Sequence, residues 1–182
     1  MPPRLRTHAG RRPRGFTLVE AAVVAALLAL LAGIALPAFG HLREKRLLEA
    51  FAARLEADIH HTRSLAVARH QVVRLSFVLE ARGGCYIVHT GDPDDCSCAA
   101  DGSAQCRGGD ALRAVRVDAA VPVSLLPNAR SLAFDPVRGT VTPAATIRLL
   151  SPSGLAIHQV VNVTGRVRAC APDRALAGLA TC

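Results

Sequence analysis

Tryptophan is absent from these 182 residues, and the chain holds one tyrosine, five phenylalanines, one methionine and a single lysine, Lys45. So sparse an aromatic set excludes a platform on which successive bases of a single strand could stack. The spacings that mark common catalytic sites are missing too: no G-x-S-x-G, H-E-x-x-H, G-x-x-x-x-G-K or G-x-G-x-x-G occurs. No enzyme is expected and no cofactor is implied. Pairs such as His89 and Asp92 read as strand-end and turn residues. The first fifteen residues also lack any acid, while Arg4, Arg6, Arg11, Arg12 and Arg14 stand among them.

A run without charge follows, from Ala21 to Phe39. That is long enough for a membrane helix of roughly 20 residues. By the positive-inside rule the basic leader stays in the cytoplasm and the C-terminal side crosses the inner membrane. A secretory signal would be cut after its apolar stretch at a small-x-small site, whereas here the Gly15-Phe16 step precedes it. The one acid beside the run is Glu20, and a carboxylate at the edge of an intramembrane helix is a functional residue by default.

Arg14-Gly15-Phe16-Thr17-Leu18-Val19-Glu20, the apolar run and Pro37 together resemble the class III leader of type IV prepilins and type II secretion pseudopilins. The resemblance implies that a prepilin peptidase cuts between Gly15 and Phe16 and methylates the amine of Phe16. It also implies that Glu20 pairs with the N-terminal nitrogen of a neighbouring subunit during assembly. Residues 1–15 are then a discarded leader and 16–40 a transmembrane and assembly helix. Residues 41–70 are its amphipathic continuation and 71–182 a periplasmic head, carried later into a fibre or its tip. An ordinary signal anchor with one tolerated acid is the alternative.

Removing the leader takes five arginines from a formal charge of +8. The remaining charge is uneven: residues 71–110 carry 3 basic and 6 acidic side chains, residues 111–182 carry 8 and 3. The last third is the basic face. Six cysteines, Cys85, Cys96, Cys98, Cys106, Cys170 and Cys182, suit an oxidising compartment. Sequence does not choose among their pairings, although Cys96 and Cys98 are too close to join each other easily. Bridges across the loop among the first four and a staple between Cys170 and Cys182 are expected. A four-thiolate zinc site in the first cluster is the competing arrangement, and it lacks paired C-x-x-C knuckles.

Beyond Pro37, Leu48, Phe51, Leu55, Ile59 and Ala66 recur at helical spacing, with Arg43, Glu44, Arg46, Glu49, Arg54 and Glu56 between them. One long helix is expected to end near His70, bent but not ended by Pro37. His60 and His61, adjacent and so about 100° apart on it, read as solvated rather than as metal ligands. From Gln71 the period becomes two, with Val73, Leu75, Phe77 and Leu79 on one face. Residues 90–110 read as a disulfide-braced acidic loop without regular structure. Strands are expected at 112–117, 121–126, 131–134, 146–150, 155–163 and 166–169. The fold class is α+β, type IV pilin-like: a long N-terminal helix packed on a mostly antiparallel β head.

Phe134-Asp135-Pro136-Val137-Arg138-Gly139 and Thr164-Gly165-Arg166-Val167-Arg168 resemble the GspH/FimT family of minor pseudopilins and minor pilins, and FimT most. In FimT-type competence pilins a GRxR motif contacts DNA, so the resemblance implies a DNA-binding role for Gly165, Arg166 and Arg168. Residues two apart on a strand face one side, which gives the spacing a physical sense. Arg148 and Arg174 are candidate additions to the patch. The implied partners are double-stranded DNA held by its backbone, other major and minor pilin subunits, the prepilin peptidase and the inner membrane. The function expected is non-sequence-specific capture of extracellular DNA for natural transformation. The alternative is a GspH-like pseudopilin of a type II secretion system, or a purely structural subunit that primes a pilus.

Overall fold

In the computed structural model the described residues are 15, 17–80, 83–99, 101–117, 123–173, 176 and 178–182. The chain divides into two units between His41 and Leu42. One α-helix, α1, runs from Leu18 to Arg69. Its start obeys a simple rule: Thr17 Oγ1 accepts the backbone N–H of Glu20 at 3.2 Å, an N-cap written in the spacing Thr-x-x-Glu. The helix continues through Pro37 rather than stopping there. Any bend at Pro37, like the side chains of residues 34–38, lies outside the described residues. Among the described residues no helix is long and apolar enough to cross a membrane. Val23, Leu27, Leu30 and Leu31 stand exposed along the part that is described.

The helix ends where the sequence pattern said, by a Schellman motif. Gln71 N–H donates to Ala66 C=O and His70 N–H to Val67 C=O, both at 3.3 Å. His70 occupies the left-handed position, with φ 52°, that glycine usually takes.

In the second unit the expected helical face is the buried one: Leu48, Phe51, Leu55, Ile59 and Ala66 are all in the core. His60 and His61 are exposed. Strands β1 (Val73–Glu80), β2 (Gly83–His89), β5 (Ala111–Val117), β7 (Ser131–Phe134) and β8 (Val141–Thr142) make one sheet, ordered β5-β2-β1-β7-β8. The second sheet is ordered β12-β11-β10-β9-β6. It comprises β6 (Ser124–Pro127), β9 (Ala145–Leu150), β10 (Ala156–Val161), β11 (Val167–Ala171) and β12 (Ala180–Thr181). All ladders are antiparallel except β11 with β12. Inner-face side chains of both sheets, among them Leu75, Tyr86, Ile147, Leu149 and Ile157, share one apolar cluster with the helix.

Residues 90–110 contain a short hairpin that the sequence pattern missed, β3 (Cys96–Cys98) on β4 (Ala104–Cys106). Cys96 and Cys106 are directly paired residues in its ladder and are joined by a disulfide. A covalent cross-strand bond lets three residues per strand hold a register that their apolar content would not. The other bridges are Cys85–Cys98 and Cys170–Cys182. With all six cysteines paired, the zinc arrangement has no thiolates. Val73, Leu75 and Phe77 of the expected strand face are buried, while Leu79, at the far end of β1, is 55% exposed.

Candidate functional site

The second sheet has an outer face, and its strands contain no aspartate or glutamate. Alternation fixes which side chains lie there. On β9 Ala145, Ile147 and Leu149 are buried while Arg148 is exposed; on β11 Val167 is buried while Arg168 is exposed. Arg166, one residue before β11, continues the alternation and is exposed with Val167 turned inward. The strand period therefore does put Arg166 and Arg168 on one side, roughly 7 Å apart along the chain.

Cross-strand register places the remaining basic groups. Arg168 pairs with Val160 of β10, which pairs with Thr146 of β9, while Arg148 pairs with His158, itself opposite Cys170. Arg148 is thus two strands over and two residues along from Arg168, roughly 12 Å away. His158 joins this face, and sequence reasoning missed it because only the register brings it beside Arg148. Among the described residues Arg148, Arg166 and Arg168 have no ion-pair partner. Arg174 lies outside the described residues, as does Phe16.

The turn before Arg166 is built by Asn162. Its Oδ1 accepts the N–H groups of Thr164 and Arg166 at 3.1 and 2.9 Å, and Gly165 N–H donates to Asn162 C=O at 2.9 Å. Gly165 has φ +75°, the left-handed conformation. Its bare side does not face solvent: a β-carbon there would lie 2.9 Å from Gly139 O and 3.2 Å from Arg63 Cδ. The close approach that this glycine permits is to the helix and the Gly139 loop.

That second loop is held by Asp135, whose Oδ1 accepts the N–H groups of Arg138 and Val137 at 2.7 and 2.9 Å. These bonds, Arg138's first, hold the exposed carboxyl below its usual pKa. A β-carbon on Gly139 would lie 2.8 Å from Arg63 Nε, and Val141 N–H donates to Val163 C=O at 2.9 Å. The two family-like sequence segments, about thirty residues apart, therefore meet around one helix arginine.

Of the earlier expectations, Gly15 is exposed ahead of the helix and Glu20 is an exposed residue of its first turn. A further polar site had no sequence signal beyond a charged residue at a core spacing. Asp58 is 3% exposed, and its Oδ2 accepts from Tyr86 Oη at 2.6 Å and from Arg113 Nε at 3.1 Å. Burial first, and the Asp58 carboxylate second, push the Tyr86 phenol strongly up from its ordinary pKa.

Comparison with known proteins agrees with this architecture. Residues 52–165 match the family described as Type II transport protein GspH, and residues 10–36 match the prokaryotic N-terminal methylation motif. The GspH match includes Arg63, Gly139 and Gly165 and stops just before Arg166. Two crystal structures of the type IV minor pilin FimU from Pseudomonas aeruginosa share the fold. One has TM-score 0.51 at 16% identity, over 69% of this chain and 89% of that one. The other has TM-score 0.50 at 14% identity, over 66% and 90%. No curated protein sequence matches. The fold is that of the type IV pilins.

Proposed function

This chain belongs to the GspH family of type II transport proteins, and from that premise we propose that it is a minor type IV pilin that binds extracellular duplex DNA for uptake. Pilin-like proteins of this kind are processed by a prepilin peptidase and associate with other pilin subunits. In our reading the mature chain starts at a methylated Phe16, residues 16–40 anchor it in the inner membrane, and Glu20 meets the neighbour's amino terminus. The observation that carries the DNA half is the exposed, unpaired pair Arg166 and Arg168 on the acid-free outer face, with Arg148 on the same face.

Guanidinium groups bind phosphate oxygens through charge-assisted, often bidentate hydrogen bonds. Phosphates run along duplex DNA regardless of sequence, so contacts of this kind give affinity without base discrimination. Asn162 and Gly165 shape the turn that delivers Arg166. Arg174 belongs to the patch by sequence position alone. A few contacts mean weak, strongly salt-dependent binding.

The test is Arg166→Gln with Arg168→Gln in the full mature chain, assayed against duplexes of unrelated sequence. Affinity should fall alike for all of them, and the slope of log K against log salt should shrink by roughly 2, about 0.9 for each lost contact. Transformation should drop while fibres still assemble. Unchanged binding and unchanged transformation would favour the second reading, a pseudopilin of a type II secretion system. The description of the matched family supports that alternative.

A further inference from the structure

A cleft of about 260 Å³ opens between residues 49–56 of α1 and residues of β10, β11 and the segment at Leu179. Gln159 of β10 lines it and is fully buried. Its amide nitrogen donates to Ala52 C=O at 3.0 Å, which fixes the amide's orientation, and its Oε1 has no hydrogen-bond partner. Two helix carboxylates line the same cleft. Glu49 is paired with Lys45 at 3.7 Å and Arg46 at 3.2 Å. Glu56, half-buried and seven residues further on, has neither an ion pair nor a hydrogen bond among the described residues. Seven residues are two turns, so the carboxylates lie on one helix face roughly 10 Å apart. The other walls include the apolar Ile157 and Leu179.

The unpaired polar groups here are acceptors only. A buried carbonyl without a donor is rare in native proteins. An occupant must therefore bring donors, and beside Glu56 a positive one is favoured. A phosphate is repelled by the two carboxylates, which separates this cleft from the arginine face. The volume is below the roughly 300–1,000 Å³ of small-molecule sites. It suits one long side chain whose aliphatic stem lies on Ala52, Ile157 and Leu179. Arginine has five donors in a fixed plane and can serve Gln159 Oε1 and the Glu56 carboxylate together.

We propose that this cleft accepts an arginine side chain from a neighbouring pilin subunit. The proposal rests on the assembly half of the reading above and is independent of DNA binding. The Cys170–Cys182 disulfide closes the segment that contains Leu179 and so holds the outer wall in place.

The probe is N-acetyl-arginine methylamide, titrated by NMR into the full mature chain in detergent micelles, with the neutral citrulline analogue as control. The arginine probe should shift the Gln159 side-chain amide and the Leu179 backbone amide saturably. Citrulline should bind at least about tenfold more weakly, since the interaction is charge-assisted. Glu56→Gln, at a half-exposed helix position, should keep the fold, lose most of that discrimination, leave duplex DNA binding unchanged and lower incorporation into fibres. Equal responses to both probes, or none to either, would overturn the proposal and leave the carbonyl to water. Discrimination without any change in incorporation would overturn the subunit as the source of the arginine.

Discussion

Arg63 of the helix fills the space where a side chain on Gly165 would begin: an added β-carbon would meet Arg63 Cδ at 3.2 Å and Nε at 3.3 Å. Gly139 faces the same arginine from the other loop. The glycine of the GRVR segment thus serves the inside of the head, while its two arginines face out. Gly165→Ala should destabilise the protein by about 1–3 kcal/mol, through both the positive φ and the 2.9 Å approach to Gly139 O. Gly178 also has a positive φ but open space around it, so Gly178→Ala should cost only about 1 kcal/mol. Denaturant unfolding of the two variants measures the difference.

Tyr86 is the only tyrosine, so phenolate absorbance reports on it alone. Its folded-state pKa is raised above the unfolded value, chiefly by burial. The stability linked to it is therefore complete below about pH 10, the unfolded value, and is lost progressively as pH rises above that. Phenolate should appear together with unfolding rather than before it. Tyr86→Phe should lower stability by about 1–2 kcal/mol at neutral pH and flatten the alkaline decline. Phenolate formation in a fully folded protein would contradict this.

Arg148 lies two strands from Arg168 on the same face. If DNA runs across that face, Arg148→Gln should reduce the salt slope by about 0.9 without altering the thermal midpoint by more than a degree or two, since an exposed unpaired charge contributes little stability. An unchanged slope would confine the contact to the GRVR turn.

Glu20→Ala should be cleaved normally yet enter fibres poorly. The helix start is not at risk, because the bond to Thr17 Oγ1 uses the backbone N–H of Glu20, which alanine retains. What is lost is the carboxylate that would meet a neighbour's amino terminus in apolar surroundings, where an unpaired charge is costly. Quantifying the variant in sheared fibres, with mass spectrometry of its first residue, separates assembly from processing. Replacing Gly15 by a bulky residue should instead leave the precursor uncut.

Local regularities were the legible part. Helical spacing from Leu48 to Ala66 and the two-residue period from Val73 gave the elements that form the core, since burying one face imposes a period on the residues themselves. The hairpin at Cys96–Cys106 was illegible for the opposite reason: its stabilisation is a covalent bond, not an apolar pattern. Asp58 looked like any polar residue on a helix, because Tyr86 and Arg113, which satisfy it, come from strands 28 and 55 positions away.

By itself the sequence determined the N-terminal signature, the long helix ending near His70, the strand periods and the exposure of Arg166 and Arg168 around Val167. Each is settled by residues within a few positions of one another. The tertiary structure decided which cysteines join, that Arg148 and His158 share the arginine face, that Gly165 and Gly139 close on Arg63, and that Gln159 keeps an unpaired carbonyl beside Glu56. Those relationships depend on strand register and on contacts across the core, where one residue of slip moves every side chain to the other face.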